Sequence, residues 1–483
     1  MPINTEHPEY ASHENMWRRA RISYQGSEAV KEAGPEFLPM LSAMDSDEYQ
    51  IYLRGAVWYG APERTINGLT GAILRKPLEI TLPDIMEFLE EDYTMTGVRF
   101  EKFAHSVLIE IMKVGRTGVL VDMPPEAEGE DMRPYSTQYL TEDIVNWRTR
   151  RVDGREVLTL VVLREQFFAP EPDDIFSVEL KTQYRELYLE EENGRIIYRQ
   201  RVWMERDDAT DQGDKYTIID EITPLMRGVP LDYIPFIVFG TEDLSPSPNK
   251  PPLMDMIDTN YQMYVNSADY ERALHFCGSP VYFFSGIDRE QEIAIGPSRA
   301  IISDREGAHG TILQGSAESV SALNFAMNEK KADVAKLGSR LLEEQKSGVE
   351  AADAIRLRFA GEQAVLRSIA VAFSEGLNMT MKIMARWMGL TEDAINISVN
   401  RDFVDVALTP AQIQSYMALH QAGHISYATL YDLLASGELT RNGVDWTEER
   451  EQIDSEQEAD LASAQTLTEL VAGAQEPANP FTR

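Results

Sequence analysis

Apolar residues recur at spacings of three and four through the first hundred positions of the chain. The pattern predicts amphipathic helices around Glu48 to Tyr59, Pro62 to Leu74 and Arg99 to Val114. Polar residues occupy the intervening positions, as in helices that cover a core with one face. The N-terminal region is therefore predicted to be a small helical layer.

From Gly118 the hydrophobic pattern shortens to runs of β-branched and aromatic residues. The runs are GVLVDM, EVLTLVVLREQFF, YRELYLE, GRIIYRQRVWM, YTIIDEI and PFIVFG. The turns between them include Asp153-Gly154, Asn193-Gly194 and Gln212-Gly213-Asp214, dipeptides and tripeptides typical of hairpins. This region is predicted to be one mostly antiparallel sheet.

Four prolines between 246 and 252 mark a linker, after which a helix is predicted up to Gly278 and Pro280. Residues 281–322 alternate strand-like pieces (VYFF, RAIIS, GTILQG) with glycines, which predicts a compact β-rich insert. A second helix is predicted over roughly Ala322 to Gln345. The glycines of GAHGTILQG match no phosphate-binding motif and are interpreted as hairpin turns.

A break at Ser347-Gly348 precedes one very long helix, predicted from Ala351 to Met388 with Gly389 as its C-terminal cap. At 1.5 Å per residue it spans roughly 50 Å, more than a small core covers, so it requires neighbours. The simpler interpretation is a core helix of a large helical domain. Its apolar stripe is Ile355, Phe359, Leu366, Ile369, Phe373, Leu377, Met381, Met384 and Met388.

The C-terminal region contains a short β segment (AINISVN) and helices from Pro410 to Gln421 and from Ser426 to Ala435. An acidic tail rich in alanine and glutamine follows, and its last residues, after about Ala472, are expected to be mobile.

The chain is strongly acidic, and this restricts its possible functions. Its 483 residues include 80 Asp and Glu against 45 Lys and Arg, which gives a net charge of −35. Such a field repels phosphate and disfavours tight DNA binding; its simplest role is solubility.

One cysteine excludes an intrachain disulfide, and one thiol with seven histidines disfavours a zinc site. No secretory signal or membrane span is expected, because the N-terminus lacks an apolar run and no long charge-free segment occurs.

The sharpest metal-like motif is HQAGH at 420–424, which places His420 and His424 on one helical face. Gln421 occupies the place of the general base in HExxH and cannot perform its chemistry. Gly423 and Ser426 are better explained as a helix stop and an N-cap. The same segment resembles a helix-turn-helix, but its second helix lacks the side chains that read DNA bases. Neither a metal site nor DNA reading is predicted here.

Cys277 lies near His275, yet helical geometry does not aim that imidazole at the thiol, so a buried structural cysteine is predicted. The acid clusters Glu90-Glu91-Asp92, Asp173-Asp174 and Glu190-Glu191-Glu192 are interpreted as solvated faces, because runs of like charge resist burial. The alternative, a cytosolic acidic hydrolase or binding protein that uses an unrecognised carboxylate site, stays open.

One local contrast in this acidic chain is the basic character of the second predicted helix. It carries Lys330, Lys331, Lys336, Arg340 and Lys346 among the acids Glu329, Asp333, Glu343 and Glu344. A helix face with these bases could meet phosphate transiently. Ordinary pairing between neighbouring turns of the helix explains the same residues equally simply.

The order of these elements resembles the portal proteins of tailed bacteriophages. The resemblance covers most of the chain, from YLRGAVWYGAPERTINGLTGAILRKP through GVPLDYIPFIVFG and PPLMDMIDTNYQMYVNSADYERAL to AADAIRLRFAGEQAVLRSIAVAFSEGLNMTMKIMARWMG. It implies an α+β portal fold. The implied parts are a wing at 1–246, stem helix 1 at 247–277, a clip at 278–323, stem helix 2 at 324–345, a tunnel loop at 346–351, a long wing helix at 352–390, a short helical crown at 391–472 and a mobile tail at 473–483.

The resemblance implies a dodecameric ring at one capsid vertex of the virion, assembled in the host cytoplasm, with no catalysis, cofactor, metal or membrane. Double-stranded DNA would pass through without sequence specificity during packaging and ejection. The implied partners are the large terminase subunit, a head-to-tail adaptor and the major capsid protein, with a scaffolding protein as an optional one. The channel-lining residues would be Lys330, Lys331, Lys336, Arg340, Lys346, Ser347, Gly348, Val349 and Glu350, and the clip-docking residues Tyr282, Phe283, Phe284, Arg299, Arg305 and His309.

Overall fold

The computed structural model describes residues 2–124, 133–152, 154–171, 174–206, 215–279, 281–286, 306–313, 317–339, 352–401, 410–436, 439–440 and 444–457. The chain divides into two compact units, Met1–Arg401 and Asp402–Arg483. The first unit contains both helices and sheets, and every strand pairing among the described residues is antiparallel. The predicted α+β class is confirmed.

The helices of the described residues are α1 Pro8–Gln25, α2 Ser27–Glu32, α3 Ser46–Gly55, α4 Ala61–Ile73, α5 Phe88–Glu91, α6 Phe100–Val114, α7 Met254–Gly278, α8 Ala317–Ser339, α9 Ala352–Met388, α10 Pro410–Gln421 and α11 Tyr427–Ser436. The strands are β1 Glu79–Thr81, β2 Arg116–Asp122, β3 Tyr135–Leu140, β4 Ile144–Val152, β5 Arg155–Glu171, β6 Asp174–Glu192, β7 Arg195–Glu205, β8 Tyr216–Ile222, β9 Leu225–Met226, β10 Val229–Pro230, β11 Phe236–Gly240, β12 Val281–Ser285, β13 His309–Leu313 and β14 Asn396–Ser398.

A layer of helices packs around the N-terminal core, with Trp17 of α1 and Leu69 of α4 fully buried. An ion network joins α1 to α6, because Arg21 donates to Glu110 at 2.8 Å and to Glu142 at 2.7 Å. Burial alone would raise the pKa of Glu110, but Arg21 and Lys113 outweigh it and hold that pKa below its usual value. Helix α1, which the sequence pattern did not locate, thus provides a cation that the layer requires.

The β region forms two main sheets where the sequence predicted one. The smaller has the order β11-β2-β3 and the larger β4-β5-β6-β7-β8. Asn193 and Gly194, both at positive φ, make a two-residue turn between β6 and β7, which confirms that hairpin prediction. The two sheets separate because β2 and β11 are buried along their whole length beneath α6 and α9. A solvated sheet would instead alternate buried and exposed positions.

Helix α9 begins one residue after its predicted start and ends where predicted. Gly389 follows it at φ +71°, and the N–H of Leu390 donates to the carbonyl of Ala385, as at a glycine C-cap. The stripe from Leu366 to Met384 is buried, while Ile355 and Phe359 lie outside the described side chains. Asn378 binds both backbone groups of Ile397 on β14. Its described part is therefore a core helix.

The second unit contains α10 and α11, and residues 446–457 are also helical. Ser426 accepts a hydrogen bond from the N–H of Thr429 at 3.1 Å, and Gly423 has φ +73°. Both roles predicted for this turn, helix stop and N-cap, are confirmed. The hydroxyl of Tyr431 donates to the carbonyl of Val444 at 3.0 Å. Residues 458–483, which include the predicted mobile tail, lie outside the described residues.

Candidate functional site

Helices α7 and α8 pack against each other, and the first half of α7 is anchored in the helical layer. Tyr261 stacks on Phe37 with ring centroids 4.5 Å apart and lies 5.0 Å from Trp58. Asn260 donates to the carbonyl of Tyr59 at 2.8 Å, and Ser267 accepts from the N–H of Val57 at 2.9 Å. Buried rings and these hydrogen bonds fix this half of the helix.

The tyrosines of this anchor remain neutral at physiological pH. Burial raises the pKa of Tyr261 to about 12, and the pKa of Tyr264 likewise to about 12. Burial and a hydrogen bond to Asp269 raise the pKa of Tyr52, whose hydroxyl donates to that carboxylate at 2.8 Å. The anchor therefore contributes orientation and no acid–base chemistry at neutral pH.

Helix α8 is anchored near its C-terminal end. Val334 is 1% exposed, and Gly338 fits so closely that an added Cβ would lie 2.8 Å from Oγ1 of Thr65. The helix begins at Ala317, earlier than the predicted Ala322, so the predicted boundary is wrong. Ala317 and Glu318 favour helix in its first turn, and the acid complements the helix dipole there.

Beyond these anchors the helix pair extends away from the layer. Past Glu271, whose Cβ would lie 3.6 Å from a Cβ added at Gly55, α7 continues for roughly 10 Å, and α8 precedes its anchor by roughly 25 Å. Leu274 and Phe276 stand on nearly opposite faces of α7, as do Leu323 and Phe325 of α8, because two residues turn a helix by about 200°. A helix that is apolar on opposite faces requires a neighbour on each. The partner helix supplies only one of them.

The strands β12 and β13 form a hairpin that is apolar on both faces. Tyr282 pairs with Ile312, and the ring of Tyr282 stacks on that of Phe284 on the same face. Phe283 and Leu313 point to the opposite face. Large apolar side chains exposed on this hairpin and the free helix ends are Leu274 38%, Phe276 50%, Tyr282 40%, Phe283 52%, Ile312 55%, Leu313 57% and Phe325 65%.

The three described lysines of the predicted basic face point in different directions. Lys331 and Lys336 lie about 100° and 240° around α8 from Lys330. Nζ of Lys331 is 5.3 Å from the ring centroid of Tyr59, and Nζ of Lys336 is 3.2 Å from Asp333. Lys330 makes no ion pair with any described residue. The structure therefore does not gather these three lysines on a single face.

The other predicted site residues are only partly described. Among the clip residues, Phe283 and His309 are exposed, as is the ring of Tyr282, whereas Phe284 is half-buried. Gly310 lies inside β13, where an added Cβ would meet the Phe284 ring at 3.0 Å, so its prediction as a turn is wrong. Arg299, Arg305, Arg340, Lys346, Ser347, Gly348, Val349 and Glu350 lie outside the described residues.

The carboxylates of two predicted clusters have structural partners. Asp92 accepts from Arg133 at 2.7 Å and from the N–H of Gly97 at 2.9 Å. Arg199 bridges Glu190 and Glu192 at 3.1 and 2.8 Å. Asp173 and the side chain of Asp174 lie outside the described residues. These pairs stabilise a loop and a hairpin and leave no isolated carboxylate dyad in either described cluster.

Cys277 is a free, half-buried thiol near the end of α7. Within the described ranges, no three His, Cys, Asp or Glu side chains come together as a metal site would require. Nor does any helix in those ranges combine the length and apolarity of a membrane span.

Sequence reasoning identified the helix pair and the insert but missed the exposure of their apolar side chains. The available signal was spacing: Leu274 with Phe276, and Leu323 with Phe325, break the single stripe that a helix packed on one side shows.

A family model described as "Domain of unknown function (DUF4055)" matches residues 252–388, the run from α7 through α9. No curated protein matches the chain. Among solved structures, a chain from the virion of a native gene transfer agent (GTA) particle is 13% identical, with 84% of this chain and 98% of that one covered and a TM-score of 0.38.

Two further chains come from the necks of such particles. One, from an empty particle computed with C6 symmetry, is 13% identical over 85% of this chain and 98% of its own, with a TM-score of 0.37. The other, from a native particle computed with C12 symmetry, is 12% identical over 84% and 97%, with a TM-score of 0.36. TM-scores below 0.5 do not establish a shared fold.

Proposed function

We propose that this chain is a structural subunit of a phage head-to-tail assembly, and specifically a portal protein. Twelve copies form a ring at one capsid vertex, and double-stranded DNA passes through its channel during packaging and ejection. The ring also docks the large terminase and later a head-to-tail adaptor, and the subunit performs no catalysis. In this assembly α7 and α8 form the stem, β12 and β13 belong to the clip, and α9 belongs to the wing.

The observation that carries the proposal is the helix pair that is anchored at one end and apolar on outward faces at the other. A two-stranded hairpin is at best marginally stable in water, and large exposed apolar patches mark interaction sites. In a closed ring, each subunit contacts one neighbour on each of two different sides. Such surfaces are therefore covered on every subunit. This requirement supports a ring better than it supports a monomeric enzyme.

The charge of the chain supports a conduit for DNA. At −35 per subunit, a ring of twelve carries several hundred negative charges, which repel the phosphate backbone. Tight binding would stall a molecule that has to move, because each phosphate contact must be broken during translocation. The acidity therefore favours passage of DNA without retention at the channel wall.

Particle mass tests the ring. The purified chain is expected to form particles of about 655 kDa, twelve copies of 54.6 kDa, with ring-shaped images in negative stain. Mass photometry over a range of protein concentrations measures this directly. A chain that stays monomeric throughout, with no rings in stain, overturns the portal proposal and returns the monomeric hydrolase to consideration.

The basic residues of α8 give a second test. Replacing Lys330, Lys331 and Lys336 with Glu is expected to lower the number of DNA-filled particles several-fold while rings still assemble. The reason is that the substitutions remove the local positive charges that would steady DNA in an otherwise negative channel. The measurement counts DNA-filled and empty particles after complementation with the variant gene.

A matched control reverses three charges in the helical layer, with Lys31, Arg64 and Lys102 replaced by Glu. This variant makes the same change of net charge and is expected to package normally. Equal packaging by the α8 variant and the wild-type chain removes the assignment of these lysines to the channel. Lys330→Glu alone tests the lysine that has no partner among the described residues, apart from Lys331, which lies over the Tyr59 ring, and Lys336, which pairs with Asp333.

A further inference from the structure

The segment that precedes α1, residues 2–7, lies against β4, the outer strand of the larger sheet. Ile3 packs against a hydrophobic cluster that includes Val145 of this strand. The side-chain amide of Asn146 donates to the carbonyl of Thr5 at 2.8 Å. The segment is thus held to the sheet by an apolar contact and a hydrogen bond before it reaches its last residue.

That last residue, His7, fastens the segment to both β4 and α1. Its backbone N–H donates to the carbonyl of Val145 at 3.0 Å, and its ring stacks on Trp147 with the ring centroids 4.0 Å apart. Nδ1 of the His7 ring accepts a hydrogen bond from the N–H of Glu9 at 3.2 Å, which caps the N-terminus of α1. An imidazole therefore has the role that a serine, threonine, asparagine or aspartate side chain usually has at the start of a helix.

This cap requires a neutral imidazole. The N–H of Glu9 supplies the hydrogen, so Nδ1 of His7 must carry a free lone pair and the ring proton lies on Nε2. Protonation places a hydrogen on Nδ1, which can then no longer accept a bond. It also places a positive charge at the N-terminus of α1, which is the positive end of the helix dipole. A protonated His7 therefore loses its capping bond and is repelled by the helix that it caps.

The surroundings of the ring oppose its protonation on balance. Burial lowers the pKa of His7 below 6.5; the Glu9 carboxylate on α1 acts to raise that pKa, and Arg116 on β2 acts to lower it. The strand β4 presents an indole ring, which does not titrate. Further titratable groups nearby are Glu6 on the segment itself and His13 on α1, whose Nδ1 lies 2.9 Å from the carbonyl oxygen of Glu9.

We propose that His7 is a pH-sensitive latch that holds residues 2–7 on the larger sheet at neutral pH and releases them in mild acid. Release removes the cap of α1 and uncovers one face of Trp147 and the carbonyl of Val145. A released imidazole has the ordinary pKa of about 6.5, and the held one has a lower pKa. Attachment therefore weakens as the pH falls below 6.5 and levels off below the pKa of the held ring. The latch lies within one subunit and does not depend on the proposed portal function.

Hydrogen exchange measured by mass spectrometry tests the latch in the whole chain. After correction for the intrinsic effect of pH on exchange, the protection of the His7 and Glu9 amides is expected to fall about fivefold between about pH 7.5 and pH 5, the factor that a lost N-cap produces. His7→Asn keeps a capping side chain that does not titrate, so its protection is expected to stay constant. His7→Ala has no cap and is expected to show the low protection at both pH values.

Two controls assign the response to this one imidazole. His13→Gln removes the neighbouring imidazole of α1 and is expected to respond to pH as the wild-type chain does. Ser426 caps α11 through a hydroxyl that does not titrate, so the protection of the Thr429 amide is expected to stay constant in the same samples. Constant protection of the segment in the wild-type chain overturns the proposal, as does an equal loss in the Asn variant or at Thr429. An Ala variant that is protected like the wild-type chain at neutral pH also overturns it.

Discussion

Replacing Arg21 with Met is expected to lower the free energy of unfolding by about 3–5 kcal/mol, the cost of removing one partner from a buried ion network. Arg21 lies between Glu110 and Glu142, and its side chain is 20% exposed, while that of Glu110 is 7% exposed. Methionine preserves much of the side-chain volume but leaves Glu142 without this cation and Glu110 with Lys113 alone. Urea unfolding at a fixed protein concentration measures the change, since assembly adds to apparent stability.

The pH dependence of stability distinguishes this ion network from packing. The folded pKa of Glu110 lies below its ordinary value of 4.5, so its contribution is present above pH 4.5 and is lost as pH falls through the folded pKa. The Arg21 variant is expected to lose less stability than the wild-type chain over that acid range. Identical pH profiles would show that the destabilisation comes from packing and not from charge.

Arg18 supplies a matched control on the same helix. It pairs with Glu36 at 2.9 Å, but the two side chains are 57% and 37% exposed. Exposed ion pairs contribute little, so Arg18→Met is expected to change the free energy of unfolding by less than about 1 kcal/mol. If Arg18→Met lowers the free energy of unfolding as much as the Arg21 variant does, then removing any arginine from α1 destabilises the fold, whether or not that arginine is buried.

Helix α9 illustrates what local sequence determines. Its start after the Ser347-Gly348 break and its end at Gly389 follow from backbone preferences and an amphipathic stripe, and both were predicted to within one residue. The turn at Asn193-Gly194 was equally clear, because few other dipeptides accept positive φ at two successive positions. Such signals are local, because the residues that produce each of them lie within a few positions of one another in the sequence.

Features that depend on distant contacts were not predictable. Arg116 is 1% exposed, with its guanidinium carbon 4.1 Å from the Trp147 ring centroid, and burial lowers its pKa to about 9. No spacing in the sequence indicates that pair. The pairing of Phe168 with Leu180 was missed because the predicted run EVLTLVVLREQFF ends at Phe168 and the next run, YRELYLE, begins only at Tyr184.

The contact between α9 and the smaller sheet gives the last prediction. A Cβ added at Gly376 would lie 2.3 Å from Cε1 of Phe239, whose ring is fully buried on β11 and 6.3 Å from Phe373. Gly376→Ala is expected to destabilise the fold by about 1–3 kcal/mol, the usual cost of overpacking. The gain of up to about 1 kcal/mol that alanine brings to a helix interior cannot offset this clash. Thermal and urea unfolding measure the net effect.

Gly71→Ala is the control that measures the effect of helix propensity without a steric clash. It lies exposed in α4 with no atom within 4 Å of an added Cβ, so Gly71→Ala is expected to stabilise the chain by about 0.5–1 kcal/mol. Combining Gly376→Ala with Phe239→Leu is expected to cost less than the sum of the two single changes, because the smaller side chain makes room for the new methyl group. Strict additivity would show that Gly376 and Phe239 do not compete for space, and that α9 can shift on the sheet.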